Sequence, residues 1–326
     1  MSMVFFRRSL LRLFQTIQYP IVHLLIWFIR AIPYKAALSF GRSLGFLAWV
    51  LDPFHRKTAD IQMKYALGKA YHPLMSLKVF MNHGDILVDT IRFAFMDKEE
   101  IRDRIVIEER EHLDRARQSN RGIMLITGHI GNWEILTHLP RILDIEFCVM
   151  ADIRNDPRLE ALINDIRSRS GATILPPKGK ALMLIKRLRK GSMIGMVVDQ
   201  RGKRGERLFC DLFGLPAPTN PAPAFIALKG NAILLPVYAI KKKGSYHICF
   251  SPAVDPTAFG TGETSVEELS SYMQSWVASI VLQHPEQWFW LHARWTRRSD
   301  MRRIVRKRLD FRKEVLRQYE ERRQAP

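Results

Sequence analysis

The spacing of apolar and polar residues changes character several times along the chain. An uncharged stretch, residues 13–29, follows Arg7, Arg8 and Arg12, and Trp27 and Tyr34 stand near its far end. Its length sits at the lower limit of about 17 residues for a spanning helix. No small-x-small cleavage pattern follows it, so it does not read as a removable signal. The pattern predicts one N-terminal membrane-anchoring helix within an apolar segment over residues 1–52; a buried helix of the fold is the alternative. A second apolar run, residues 43–51, is too short to span.

Residues 60–118 are charged, with apolar positions at mixed spacings of three and four, a helical pattern. From there the rhythm shortens. Residues 122–127 (GIMLIT) form an apolar run closed by Gly128 and predict a buried strand. Helix over 134–143, strand over 146–150, helix over 157–168, basic helix over 178–190 and strand over 193–198 follow. Beyond a loop rich in Gly and Pro come a helical stretch at 225–229 and strands at 232–240 and 246–251. Such alternation implies an α/β domain, residues 53–296, with a mixed, largely parallel sheet flanked by helices. In sheets of this kind sites form at the carboxyl ends of strands. His129 and Asp199 both fall just after an apolar run.

Composition narrows the function classes. Apolar residues make up 47% of the 326, enough for a sizeable core and incompatible with a disordered chain. The formal net charge is +19, which attracts anionic partners: lipid head groups, nucleic acid or an acidic protein. The three cysteines, Cys148, Cys210 and Cys249, are odd in number and far apart, so neither a disulfide framework nor a zinc site is suggested.

The candidate chemistry centres on Gly128-His129-Ile130-Gly131-Asn132-Trp133-Glu134. His129 and Glu134 are five residues apart, about 140° of rotation on a regular helix with 3.6 residues per turn, so they share no helix face. They approach each other only if His129 lies in the turn before the helix, a freedom that Gly128 and Gly131 provide. A histidine oriented by a carboxylate is a suitable general base at neutral pH. No nucleophilic Ser or Cys adjoins the pair, which favours direct transfer over a covalent intermediate. Gly41-Arg42-Ser43-Leu44-Gly45 matches G-x-S-x-G, but that motif needs a strand, a sharp turn and a helix. Both flanks here read as helical, so the two glycines suit close helix packing better than catalysis.

Residues 127–134 (TGHIGNWE) resemble the H-x4-D/E block of glycerolipid acyltransferases, and more closely that of the bacterial lipid A biosynthesis acyltransferases. Further segments are similar in the same order: Arg154-Asn155-Asp156-Pro157, Arg167-Ser168-Arg169, Val198-Asp199-Gln200, residues 209–219 (FCDLFGLPAPT) and residues 284–295 (HPEQWFWLHARW). The resemblance spans nearly the whole chain and implies a glycerolipid-acyltransferase-like α/β fold. It implies transfer of a fatty acyl chain to a hydroxyl of a lipid A precursor, with acyl-carrier protein or coenzyme A as co-substrate and no further cofactor. His129 would be the base and Glu134 its partner. Arg154, Arg167 and Arg169 would hold phosphates or support the oxyanion, and Asp199 and Gln200 would line the substrate site. The expected place is the cytoplasmic face of a bacterial inner membrane. Ala293 stands where the family usually has Arg, and Gly131-Asn132-Trp133 departs from the best-known members; both bear on the acceptor more than on the chemistry.

The partners expected are an acidic acyl-carrier protein, a membrane lipid acceptor and an anionic membrane surface. The run Lys178, Lys180, Lys186, Arg187, Arg189 and Lys190 is one candidate docking face for the carrier. From Arg294 onward 13 basic and 5 acidic residues surround Ile304, Val305, Leu309, Val315 and Leu316 at roughly helical spacing, which predicts a basic amphipathic helix over 297–326 on anionic lipid. Nucleic acid is disfavoured because no recognised nucleic-acid fold accompanies the run. Another lipid acceptor (a glycerophospholipid, an aminolipid or a phosphoinositide mannoside) and a non-catalytic basic membrane-binding protein are the competing readings.

Overall fold

The fold is taken from a computed structural model, which describes residues 19–150, 157–175, 181–202, 208–260, 262 and 264–324. Helix α1 is described over residues 19–31, and α2 spans Tyr34–Leu51. Pro33 separates them, since proline disfavours the helical conformation in the residue before it. Helix α3, Pro53–Leu67, begins where proline is best tolerated, and the Asp52 side chain caps it by accepting from His55 N–H. Helix α4 covers Met75–Phe93, and a capping box between Asp97 and Glu100 starts the short α5, Lys98–Arg102.

Strands and helices then alternate: β1 (Ile105–Glu108), α6 (Glu111–Gln118), β2 (Ile123–Thr127), α7 (Leu139–Leu143), β3 (Cys148–Met150), α8 (Pro157–Ser168), β4 (Thr173–Leu175), α9 (Ala181–Arg189) and β5 (Met193–Val197). A hairpin of β6 (Phe209–Leu212) and β7 (Leu215–Pro218) precedes α10 (Ala222–Gly230), β8 (Ile233–Lys242) and β9 (Ser245–Phe250). Helices α11 (Thr264–Gln283), α12 (Arg298–Lys307) and α13 (Phe311–Gln324) complete the described chain.

The main sheet has seven strands in the order β1-β9-β8-β2-β5-β3-β4. All its pairings are parallel except β8 with β9, so the mixed, largely parallel α/β architecture expected from the sequence is present. Every residue of β2 is buried, as a central strand covered on both faces requires. Its side chains alternate between two cores. Met124 and Ile126 join Ile194, Met196 and Leu234 on one face, while Ile123 and Leu125 join Met193, Ile233 and Leu235 on the other.

Strand β1 interrupts a region that the spacing reads as helical throughout, and β4, the β6–β7 hairpin and α11 leave no clear signal in the pattern. The basic tail forms two helices. Its apolar positions Met301, Ile304, Phe311 and Val315 are buried in the main core rather than turned outward.

The N-terminal expectation is corrected. Among the described residues no helix is long and apolar enough to cross a membrane. Residues 13–18 of the predicted anchor, and the arginines before it, lie outside the described residues. The described part of α1 ends before Pro33, and its Ile26 and Ile29 are buried in a cluster with Ala37, Val88, Ile91 and Ile166, so one of its faces is a wall of the fold. Helix α2 carries Arg42, whose guanidinium makes a two-toothed contact with Asp85 on α4 at 2.9–3.2 Å. The transmembrane helix, and with it an inner-membrane location held by such an anchor, are therefore overturned. The G-x-S-x-G decoy resolves as helix packing: a Cβ on Gly84 would lie 1.9 Å from Gly41 O, and one on Gly45 would lie 2.4 Å from Phe80 O. Ser43 is exposed and its hydroxyl donates to Ser39 O.

Candidate active site

Strands β2 and β5 are parallel neighbours with Thr127 opposite Val197. Two residues beyond that pair, on each strand, stand His129 and Asp199, and the common register brings them together at the carboxyl end of the sheet. His129 Nδ1 lies 2.7 Å from Asp199 Oδ1, and the His129 backbone N–H donates to Asp199 Oδ2 at 2.7 Å. Trp288 Nε1–H, from the 284–295 block, donates to the same Oδ2 at 2.7 Å. A carboxylate only accepts, so Nδ1 carries a proton, and in the neutral ring it is Nε2 that keeps the lone pair. The Gln200 amide N–H faces that lone pair at 3.2 Å.

The turn holding His129 is fixed from two sides. Gly131 has φ +56°, and a Cβ there would sit 1.9 Å from Ala239 O. Only glycine meets both demands. Gly131 N–H donates to Gln287 O at 2.7 Å and Asn132 N–H to Ala239 O at 2.9 Å, while Phe289 N–H donates to His129 O at 3.0 Å. The 284–295 block thus clamps the histidine turn against β8. Trp133 packs edge-on to the His129 ring, with centroids 4.7 Å apart.

Burial shapes the electrostatics. Asp199 is fully buried, which alone would raise its pKa; the His129 imidazole beside it and its hydrogen bonds to His129 and Trp288 outweigh this and hold it low. Burial pulls His129 down, but the Asp199 charge and hydrogen bond, with a smaller contribution from Glu134, raise it above the ordinary imidazole value. Arg294, also fully buried, lies in the field of Asp199 and is pushed down to about 10 by desolvation. Its guanidinium donates to Pro218 O, Thr219 Oγ1 and Gln274 Oε1 at 2.5–3.0 Å.

Glu134 lies on a 3-10 turn, Trp133–His138. Its carboxylate pairs with Arg167 of α8 at 2.8 and 3.3 Å, and among the described residues it makes no hydrogen bond to His129. The two halves of the H-x4-E block are therefore near each other but differently employed. Arg169 pairs with Asp165 at 3.1 Å, lies over the Phe95 ring and does not line the His129 cavity. Arg154 lies outside the described residues.

His129 and Gln200 open into a cleft of about 780 Å³. One wall is apolar and comes from α2 and α4: Leu44, Gly45, Ala48, Phe80 and Leu87. The other is polar and includes Arg201, His292, Thr296 and Arg298. The α2–α4 wall and Arg201 are features that sequence reasoning missed. Arg201 directly follows the D-Q pair, which was its only signal. His83 and His292 also line the cleft, and burial holds both down to about 4, so they are neutral near pH 7.

This arrangement, an imidazole backed by a buried carboxylate beside an apolar cleft, is suited, in its neutral form, to deprotonating a hydroxyl next to a hydrocarbon chain. The chain is 24% identical over 284 residues to the lipid A biosynthesis palmitoleoyltransferase of Escherichia coli (strain K12), covering 84% of this chain and 89% of that protein. It is 23% identical over 282 residues to the lipid A biosynthesis lauroyltransferase of the same organism, covering 84% and 90%. It is 24% identical over 189 residues to a phosphatidylinositol mannoside acyltransferase of Mycobacterium tuberculosis (strain CDC 1551 / Oshkosh), covering 57% and 58%. The model of the bacterial lipid A biosynthesis acyltransferases matches residues 5–297. The chain belongs to that family, and is an O-acyltransferase.

Proposed function

We propose that the protein transfers a fatty acyl chain from a carrier-protein thioester to a hydroxyl of a lipid A precursor, with His129 as general base and Asp199, rather than Glu134, as the carboxylate that orients it. The observation that carries the reading is the His129 ring: Nδ1 is tied to a buried carboxylate while Nε2 faces the cleft. The relatives' names point to lipid A biosynthesis and to phosphatidylinositol mannoside; the longer matches favour lipid A.

In this mechanism the acceptor hydroxyl takes the place of the Gln200 amide at Nε2 and gives its proton to His129. The oxygen attacks the thioester carbonyl and forms a tetrahedral oxyanion. Its collapse breaks the C–S bond, and the leaving thiolate takes the proton back from His129. Asp199 stabilises the imidazolium between the two transfers without itself being protonated. Arg201, half-buried on the cleft wall, supplies positive charge near the developing anions. Glu134 keeps a secondary role: it adds negative potential at His129 and anchors Arg167, which braces α8 against the histidine turn. The acyl chain lies along Leu44, Ala48, Phe80 and Leu87, where its burial is favourable by about 0.8 kcal/mol per methylene.

The test is purified protein with labelled acyl-carrier protein and a panel of lipid acceptors, read by mass spectrometry. Acylation of the lipid A precursor in preference to glycerophospholipids and phosphoinositide mannosides is expected. Transfer to one of those instead overturns the acceptor, and unchanged transfer by His129→Ala protein overturns the mechanism.

A further inference from the structure

The polar end of the active-site cleft does not stop at its rim. It shares Asp52, Phe54, His55 and Arg298 with a second groove of about 710 Å³, whose remaining lining is Ser299, Arg302, Arg303, Val305 and Arg306. Arg298, Arg302 and Arg306 are four residues apart on α12, so they share one face, and all three are exposed. Among the described residues none of the three has a carboxylate within ion-pair distance, whereas their neighbours Arg297 and Arg303 pair with Asp300 and Glu314. The one carboxylate in the groove, Asp52, is engaged by His55 at 2.5 Å. The Phe54 ring lies under Arg298 and Arg302, 5.7 and 5.4 Å from their guanidinium carbons.

The molecule therefore has a cleft with two unlike ends. Toward α2 it is apolar, and Phe46, Leu47, Val50 and Leu51 extend apolar surface outside it. Toward α12 it is cationic and open to water. Of the docking face suggested by the sequence, Lys178 and Lys180 lie outside the described residues, and Lys186, Arg187 and Arg189 on the basic α9 are elsewhere. The Leu188 backbone packs on Gly122, which leads into the amino end of β2, while His129 follows the carboxyl end.

We infer that the α12 arginine stripe is the docking surface for an acidic acyl-carrier protein, which lays its acidic face along Arg298, Arg302 and Arg306 and passes its thioester arm down the shared groove to His129. The inference rests on the proposed reading that the donor is a carrier-protein thioester. Charge complementarity selects the partner. Eight residues of helix rise about 12 Å, so the three guanidinium groups are spread farther than one phosphate reaches and match a row of carboxylates on a facing helix. The apolar end is left for the lipid chains.

The experiment compares two donors, acyl-carrier protein and the same acyl group on free pantetheine, which carries no protein to dock. R302Q/R306Q replaces two exposed residues outside the His129 cleft. It is expected to raise KM for acyl-carrier protein by about tenfold and to flatten its dependence on salt, with the pantetheine thioester used to within about twofold of wild type. K186Q/R189Q, on α9, is expected to leave carrier-protein kinetics unchanged. Equal loss with both donors, no loss with either, or a rise confined to the KM of the lipid acceptor overturns the assignment; the last would make the stripe a site for an anionic head group. If wild-type protein transfers from neither donor, the acyltransfer reading fails. Fluorescence anisotropy of labelled carrier protein then still decides docking, by tighter binding to wild type than to R302Q/R306Q.

Discussion

The Asp199 carboxylate holds His129 at two points, accepting the ring Nδ1–H on one oxygen and the backbone N–H on the other, each at 2.7 Å. Ring orientation and the position of the turn are set by the same buried group. Trp288 fixes that group in turn, so the histidine is pre-organised by residues that never reach the cleft.

This coupling sets the pH dependence. The base must be neutral to accept a proton, and its pKa lies above the ordinary value of about 6.5, so kcat/KM should rise with pH along a limb whose midpoint is above about 6.5. In Asp199→Asn the anion is gone and burial dominates, so the midpoint should move below wild type. The linkage to stability has the opposite sense for the two partners. Stabilisation from the raised His129 is present below about pH 6.5 and is lost as pH rises through its folded value. That from the lowered Asp199 is present above about pH 3.9 and is lost as pH falls. A pH–rate profile of both proteins checks the first claim, and denaturant melts across pH check the second.

Gly131→Ala should destabilise the fold by about 3 kcal/mol or more, because it adds a Cβ against the Ala239 carbonyl at a left-handed φ. Chemical denaturation reads this directly. Gly191→Ala, also at positive φ but with open space around it, should cost only about 1 kcal/mol.

Away from the site, Asp89 accepts from Tyr34 at 2.7 Å, Tyr246 at 2.5 Å and Lys241 at 3.1 Å, and it is fully buried. Asp89→Ala leaves two hydroxyls without their acceptor and weakens the pairing of Lys241. A loss of about 3–5 kcal/mol in unfolding free energy is expected, with no shift in the acid limb of the folded enzyme's activity.

Ala48 lines the cleft from α2. Ala48→Phe should shift the preferred donor toward shorter chains, lowering kcat/KM for the longest chain accepted by about tenfold and for the shortest by less. Competition between thioesters of different length, read by product mass, measures the shift.

The sequence carried the strand–helix alternation, the helical setting of Ser43 and the placing of His129 and Asp199 just past apolar strands. What it did not carry was adjacency. That β2 and β5 are neighbours in register is a tertiary fact, and it alone brings residues 129 and 199 together. The resemblance of the H-x4-E block drew Glu134 forward as the partner, but in the structure that carboxylate pairs with Arg167, a contact set by how α8 packs. The N-terminal apolar pattern was real, yet apolar positions alone do not distinguish lipid from protein as the covering medium. Ile26 and Ile29 are covered by protein.

The most direct measurement is the single-turnover rate of acyl transfer by Asp199→Asn and Glu134→Gln proteins with saturating donor. The account predicts that Asp199→Asn loses about a thousandfold or more while still binding donor, and that Glu134→Gln stays within about tenfold of wild type. A near-wild-type rate for Asp199→Asn together with a thousandfold loss for Glu134→Gln would contradict it.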